Sequence, residues 1–236
     1  NALAGTARRD YACTRLAGCF GAQMTEYVLG AIMVEDWRRL RGCQERGEWR
    51  PELFRGRRRL AGATLGCLGV GEIAADVARG AQSLGMATIG FATSAREVDS
   101  FGVVTPDLSR VLSDADMIVS VLPSTPSTRG LLDAGRLSAC GKDKLFINVG
   151  RGDVVSEQSL LDALAQGWLR GAVLDVFPQE PLPATSALWA HPSVTITPHI
   201  AAVTHPEDAA RVFVDNLERW LEGQPLRYGV DLERGY

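Results

Sequence analysis

Residues 64–91, TLGCLGVGEIAADVARGAQSLGMATIGF, decide the fold. TLGCLGV (64–70) is a short apolar run of buried-strand character, and MATIGF (86–91) is a second one. Between them EIAADVARGAQSLG (72–85) repeats its apolar positions at helical spacing. Where the first strand meets the helix stands Gly69-Val70-Gly71-Glu72-Ile73-Ala74, a G-x-G-x-x-G/A turn. In such a turn the first glycine permits the tight bend and the second lets a pyrophosphate approach the backbone. Ala74 in the third place keeps helix and strand close. Free N–H groups at the helix start then meet the phosphate oxygens. Alone the motif reads as a tight turn; in this strand–turn–helix setting it predicts dinucleotide binding.

Outward from this unit the pattern repeats. DMIVSVL (116–122), KLFINV (144–149), GAVLDVF (171–177) and VTIT (194–197) read as further strands, and 160–167 and 206–221 as helices. Thr105-Pro106-Asp107 reads as a helix start, with Thr105 as N-cap and proline at the first helical position. Upstream, Tyr27, Val28, Ile32, Met33, Trp37 and Leu40 recur at helical spacing, which predicts a helix over about 23–41. The arginine-rich stretch RPELFRGRRR (50–59) reads as a solvated arm, because no aromatic stacking platform accompanies it. Short apolar strands alternating with helices predict an α/β fold, a doubly wound parallel sheet of the Rossmann type covered on both faces. Ligands of such sheets bind outside the carboxyl ends of the strands.

The composition is that of an ordinary globular protein, 46% hydrophobic and 22% charged. A formal net charge of −3 offers no basic face to a phosphate backbone, so no nucleic-acid partner is expected. The cysteines at 13, 19, 43, 67 and 140 form no CxxC pair and no Cys/His ligand spacing, so neither a disulfide framework nor a metal site is expected. Cys67 reads as a small core residue, and a reducing, cytoplasmic compartment is the expectation. No apolar run approaches the roughly 20 residues that span a bilayer, so no membrane association is expected.

Three chemically apt residues follow in order, each at the end of a strand-like run: Arg151 in NVGRGDVV, Glu180 in LDVFPQEPLP and His199 in VTITPHIAAVT. A ketone accepts hydride poorly until its oxygen is polarised and a proton is ready. His199 suits the general acid of reduction, since an unperturbed imidazole titrates near neutrality. Glu180 suits the partner that fixes its tautomer, and Arg151 offers a planar fork for a substrate carboxylate. Singly each has a bland reading as a structural or solvated residue; together, on one dinucleotide fold, they predict a nicotinamide-dependent reductase. His191 and His205 read as structural or solvent-facing. Arg151-Gly152-Asp153 spells an adhesion tripeptide, but a strand-to-helix turn explains it better. Where an NAD site normally carries an acid after its second strand, this chain has Ala92. Without that carboxylate a 2′-phosphate is not repelled, and Thr93, Ser94 and Arg96 can donate to it. NADP is therefore favoured over NAD, with relaxed cofactor choice as the alternative.

These motifs resemble the D-isomer-specific 2-hydroxyacid dehydrogenases. The likeness runs through LPSTPSTRGLL (122–132), FINVGRGDVVSEQSLLDAL (146–164), GAVLDVFPQEPLP (171–183) and TPHIAAVT (197–204). MTEYVLG (24–30) and the ending DLERGY (231–236) look most like the glyoxylate/hydroxypyruvate reductases of that family. The resemblance implies Arg151, Glu180 and His199 as the catalytic triad. It implies cofactor contacts from Leu122, Pro123 and Thr128, from Val149 and Gly150, from Asp175 at the nicotinamide amide, and from Ala201. It implies a small 2-keto acid substrate and a homodimer.

It also implies a second, flavodoxin-like substrate domain, built mainly from a long N-terminal segment that this chain does not show. Residues 1–20 are expected to be a remnant of that domain. The NAD(P)-binding domain is expected at 21–200, with a dimerisation helix and arm at about 23–60. Residues 201–236 are expected to be a helix and tail returning to the substrate domain. On that expectation cofactor binding survives and turnover by this chain alone is weak, whereas a longer parent is an active reductase. Val212, Phe213, Leu217 and Leu221 are expected to be partly exposed. The competing expectations are a dinucleotide-sensing, corepressor-like binding protein and a truncated, inactive cofactor domain.

Overall fold

The structure, a computed structural model, describes residues 11–54, 59–133 and 135–231, and for 35, 36, 38, 39, 53 and 54 the backbone alone. Residues 1–10 of the expected remnant, 55–58 of the arm and the ending beyond Asp231 lie outside the described residues. The described residues divide into two compact units, one within 21–201 and a smaller one made of 11–20 with 202–231.

The larger unit is a parallel sheet of seven strands. In chain order they are β1 (Thr64–Leu68), β2 (Ala87–Phe91), β3 (Val103–Thr105), β4 (Met117–Ser120), β5 (Lys144–Asn148), β6 (Leu169–Leu174) and β7 (Val194–Ile196). Across the sheet they run β3-β2-β1-β4-β5-β6-β7, and every neighbouring pair is parallel. The chain winds outward from β1 to β3, then returns to the other side of β1 at β4, so a topological switch point opens between β1 and β4. Alternate side chains serve opposite faces, as the pleat requires. Leu145 and Ile147 join one buried cluster and Phe146 the other, and Met117 and Val119 are likewise divided from Ile118. Cys67 lies fully buried in the first cluster, where burial pushes its thiol up to about 12, as expected of a core cysteine.

Helix α1 (Gly21–Glu45) crosses α2 (Glu72–Ser83), and small residues make the approach possible. A methyl group at Gly80 would stand 2.5 Å from Thr25 Cγ2, and Val28 and Ile32 share a cluster with Ala74, Val77, Ala78 and Ala81. On the opposite face α3 (Leu108–Asp114) and α4 (Glu157–Ala165) add Val111, Leu112, Leu160 and Ala163 to the second cluster.

One helix start differs from expectation. Thr105 is the last residue of β3, paired with Phe91, so it is strand and not cap. Its hydroxyl accepts from the Asp107 amide, and Asp107 is the N-cap of α3, accepting from the Arg110 amide. The α4 cap, Ser156, accepts from the Ser159 amide while Asp133 accepts its own N–H and O–H.

In the smaller unit α5 (Pro206–Leu221) begins with proline in its first turn, as its sequence predicts. The buried Asn216 amide holds Arg227 through both its backbone groups, and Thr14 bridges to Gly229. Val212 is half-buried, while Phe213, Leu217 and Leu221 stand exposed at 67%, 40% and 70%. Among the described residues no helix is long and apolar enough to cross a membrane, and no cluster of His, Cys, Asp and Glu forms a candidate metal site.

Two glycines separate packing from propensity. A methyl group at Gly152 would fall 1.9 Å from the Phe177 carbonyl carbon, whereas one at Gly30 meets nothing within 4 Å. Gly152→Ala is expected to cost about 3 kcal/mol of stability through backbone displacement, while Gly30→Ala should add about 0.5–1 kcal/mol by restricting the unfolded chain. Equilibrium denaturation of both variants checks the contrast.

Candidate active site

The cofactor end is built on β1. Gly69 takes a φ of +99°, in the left-handed region, and its amide donates to Phe91 O at 3.0 Å, tying the turn to the end of β2. Gly71 is the N-cap of α2 and no side chain caps that helix, so its first-turn N–H groups and positive dipole end are available to a phosphate. Space above Gly71 is open: a methyl group there would meet nothing within 4 Å. Val70 and Ile73 pack into the core, and Glu72 is exposed, so these residues contribute through backbone. The residues present therefore fit a dinucleotide pyrophosphate.

Ala92 follows β2, its amide donating to Thr105 O, and Thr93, Ser94 and Arg96 lie exposed in the loop beyond. Since Leu68 and Phe91 are register partners, this loop adjoins the glycine turn. Beyond β4, Leu122 is buried and Pro123 half-buried. The Thr128 hydroxyl donates to Pro123 O and accepts from the Thr125 amide, so it shapes that loop from within. Val149 and Gly150 are buried beside it; a methyl group at Gly150 would stand 2.7 Å from Leu122 O, so only glycine lets the β4 and β5 loops cross here.

The chemical end occupies the three strands on the other side. Asn148, Leu174 and Ile196 are aligned across β5, β6 and β7, and Arg151, Glu180 and His199 leave from just beyond them. His199 Nδ1 and Glu180 Oε2 are 2.7 Å apart. The carboxylate accepts, so Nδ1 carries the proton and Nε2 is left for a ligand. Glu180 Oε1 accepts from the Phe177 amide at 2.9 Å. Burial pushes the Glu180 carboxyl upward, but hydrogen bonds from His199 and Phe177, with the charges of His199 and Arg151, outweigh it and hold it below its ordinary value. Arg151 is exposed, and its guanidinium donates to Gly150 O at 2.7 Å.

Beneath these groups lies a layer that the sequence does not reveal. Buried Asn148 donates to Arg151 O and accepts from the Gly150 amide, bracing the arginine's loop from both ends. Asp175 is 1% exposed, and its carboxylate accepts from Thr197 Oγ1, from the Ile200 amide and from the Ala201 amide at 2.5, 2.8 and 2.9 Å. Its carbonyl accepts from the His199 amide at 2.9 Å, where His199 holds a φ of +56°. Asp175 therefore orders the loop that carries His199, in addition to any contact with a cofactor. Only the acid at the strand end is visible in the sequence; its partners come from the fold. His191 accepts from the Ser193 amide, a structural bond. Gly152 is buried and Asp153 holds Ser124 and Arg129, so the Arg-Gly-Asp sequence is a packed turn.

Known proteins resemble this chain in sequence and fold. The model of the family described as D-isomer specific 2-hydroxyacid dehydrogenase, NAD binding domain, matches residues 31–201. Glyoxylate/hydroxypyruvate reductase A of Klebsiella pneumoniae (strain 342) is 34% identical over 227 residues, which cover 92% of this chain and 70% of the relative. A D-isomer specific 2-hydroxyacid dehydrogenase of Xanthobacter autotrophicus Py2, solved with NADPH and MES, superposes with a TM-score of 0.88 at 33% identity, covering 100% of this chain and 98% of that one. The NADPH-dependent glyoxylate/hydroxypyruvate reductase of Sinorhizobium meliloti, solved with NADP and sulfate, gives 0.88 at 30% identity, covering 100% of this chain and 76% of the other. The fold, the glycine turn and these matches agree: the chain belongs to the D-isomer specific 2-hydroxyacid dehydrogenase family.

Proposed function

We propose that this protein reduces a small 2-keto acid, glyoxylate or hydroxypyruvate, to the D-2-hydroxy acid with NADPH in preference to NADH. The observation that carries the reading is the His199–Glu180 pair at 2.7 Å beside Arg151, at the carboxyl ends of the same parallel strands as an uncapped glycine turn. When bound, the nicotinamide supplies the hydride. Gly69, Gly71 and the α2 start hold the pyrophosphate, and Leu122, Pro123, Val149, Gly150 and Ala201 bound the nicotinamide side. Arg151 grips the substrate carboxylate and polarises the neighbouring carbonyl. His199 gives a proton from Nε2 to the carbonyl oxygen, with Glu180 stabilising the imidazolium through Nδ1. The names of the relatives support the substrate class. The same reading takes the chain as a homodimer through α1, without nucleic-acid partner, in the cytoplasm. It takes residues 1–20 and 201–236 as parts of a substrate domain. Among the described residues no feature of the geometry favours a dinucleotide-sensing binding protein.

Turnover is measured as cofactor oxidation with each keto acid. His199→Gln is expected to lower kcat about 10²- to 10⁴-fold, and Arg151→Ala to lower kcat/KM by about 100-fold. No rate with either keto acid, with NADPH still raising the Tm, would leave a cofactor-binding domain and overturn the proposed reduction by this chain. For the cofactor, Ala92→Asp should shift the kcat/KM preference from NADPH toward NADH by about 100-fold, since the new carboxylate repels a 2′-phosphate and binds a ribose hydroxyl. An unchanged ratio would place discrimination elsewhere.

Glu180 also carries a pH signature. Its folded carboxyl titrates below the unfolded one, so its contribution is complete above the unfolded value and is lost as pH falls through the lowered folded value. Denaturation of the parent and Glu180→Gln across the acid range should show a stability gap at neutral pH that closes on acidification.

A further inference from the structure

The His199 loop is held by a connected chain of side chains that reaches back to the first helix. Tyr27 Oη lies 2.6 Å from Thr197 Oγ1, and Thr197 Oγ1 lies 2.5 Å from Asp175 Oδ1. The directions of these bonds follow from chemistry. The Asp175 carboxylate already receives the Ile200 and Ala201 amides and can only accept, so Thr197 donates to it. Having one hydrogen, Thr197 must then accept from Tyr27. Burial, opposed by the Thr197 bond and reinforced by the Asp175 charge, raises the Tyr27 phenol above its ordinary value, so it keeps the proton it donates.

We infer that Tyr27 and Thr197 are positioning residues for the proposed reduction: their relay fixes the Asp175 carboxylate, which fixes the 199–201 backbone and so the aim of His199. The inference rests on the reductase reading for its kinetic consequence, though not for its structural one. Without the Thr197 hydroxyl, Asp175 keeps one amide on each oxygen but loses the second bond at Oδ1 and with it the tie to Tyr27. His199 sits in a left-handed conformation that a non-glycine residue adopts only when its surroundings impose it. Loosening those surroundings lets the loop relax. The imidazole then swings from the line set by Glu180, and a displacement of about 1 Å at a reacting group costs on the order of 10²-fold in rate. Neither Tyr27 nor Thr197 need touch substrate. Their spacing along the chain, 170 residues, keeps the relay out of any local sequence pattern.

The test uses Thr197→Val, Thr197→Ser and Tyr27→Phe in the full chain, with two readouts. The first is amide hydrogen exchange at Ile200 and Ala201, which requires no turnover. Exchange should quicken about fivefold to tenfold in Thr197→Val, less in Tyr27→Phe, and return to the parent rate in Thr197→Ser. The second is steady-state reduction of glyoxylate, where Thr197→Val should lower kcat by about tenfold or more with KM within about twofold, again with rescue by serine. Tyr27→Phe preserves shape and carries the test if Thr197→Val lowers the Tm steeply. Parent-like exchange in both Thr197→Val and Tyr27→Phe, or failure of serine to rescue, overturns the relay. A parent without reductase activity overturns the functional reading, and the exchange result then still decides whether the relay orders the loop.

Discussion

A carboxylate buried to 1% exposure is untenable unless its oxygens are satisfied, and the arrangement of the chemical end follows from how Asp175 meets that demand. It accepts from one hydroxyl and two backbone amides, all contributed by residues 197–201. The strand end of β6 thereby dictates the path of the chain leaving β7. The same stretch of chain after β6 supplies the Phe177 amide that holds Glu180. Imidazole, carboxylate and loop are thus referred to one short segment.

Glycines make the complementary contribution on the β5 side. Gly150 lets the backbone pass within contact of Leu122, and Gly152 lets it pass against Phe177; a side chain at either place would meet main-chain atoms. With Asn148 bracing the intervening carbonyl and amide, Arg151 emerges from a loop that is fixed before and after it. The cofactor end uses glycine differently. Gly69 supplies a positive φ and Gly71 supplies open space, one a conformational and the other a steric requirement.

The sequence carried the architecture because its strands are apolar runs buried on both faces and its helices repeat at 3.6 residues, both of which are local signals. It lost β3, since Val103–Thr105 is too short for alternation to register, and it misplaced the α3 cap because the pairing of Thr105 with Phe91 is invisible in one dimension. Arg151, Glu180 and His199, the residues proposed for catalysis, are singled out by chemical type at strand ends, which is a local signal, and the fold sets Glu180 and His199 2.7 Å apart. Asn148, Asp175, Thr197 and Tyr27 could not be read as supports, because each gains its role from a partner brought by the fold. Thr128, for which the resemblance implies a cofactor contact, also has its hydroxyl bonded within its own loop, to Pro123 O and the Thr125 amide.

The visible pair and the hidden support divide their work by exposure. The side chains of His199 and Glu180 are 51% and 36% exposed, and an ion pair so placed adds little to stability, since solvent screens it and two side chains lose freedom to make it. Its value lies in orientation: Glu180 selects the tautomer and leaves Nε2 outward. Orientation is useful only if the backbone beneath does not move, and that rigidity comes from bonds made beneath the surface. A reactive group must stay accessible and therefore cannot anchor itself. The rigid half of the device has to lie one layer down, in Asp175 and its relay, where water competes poorly for the hydrogen bonds.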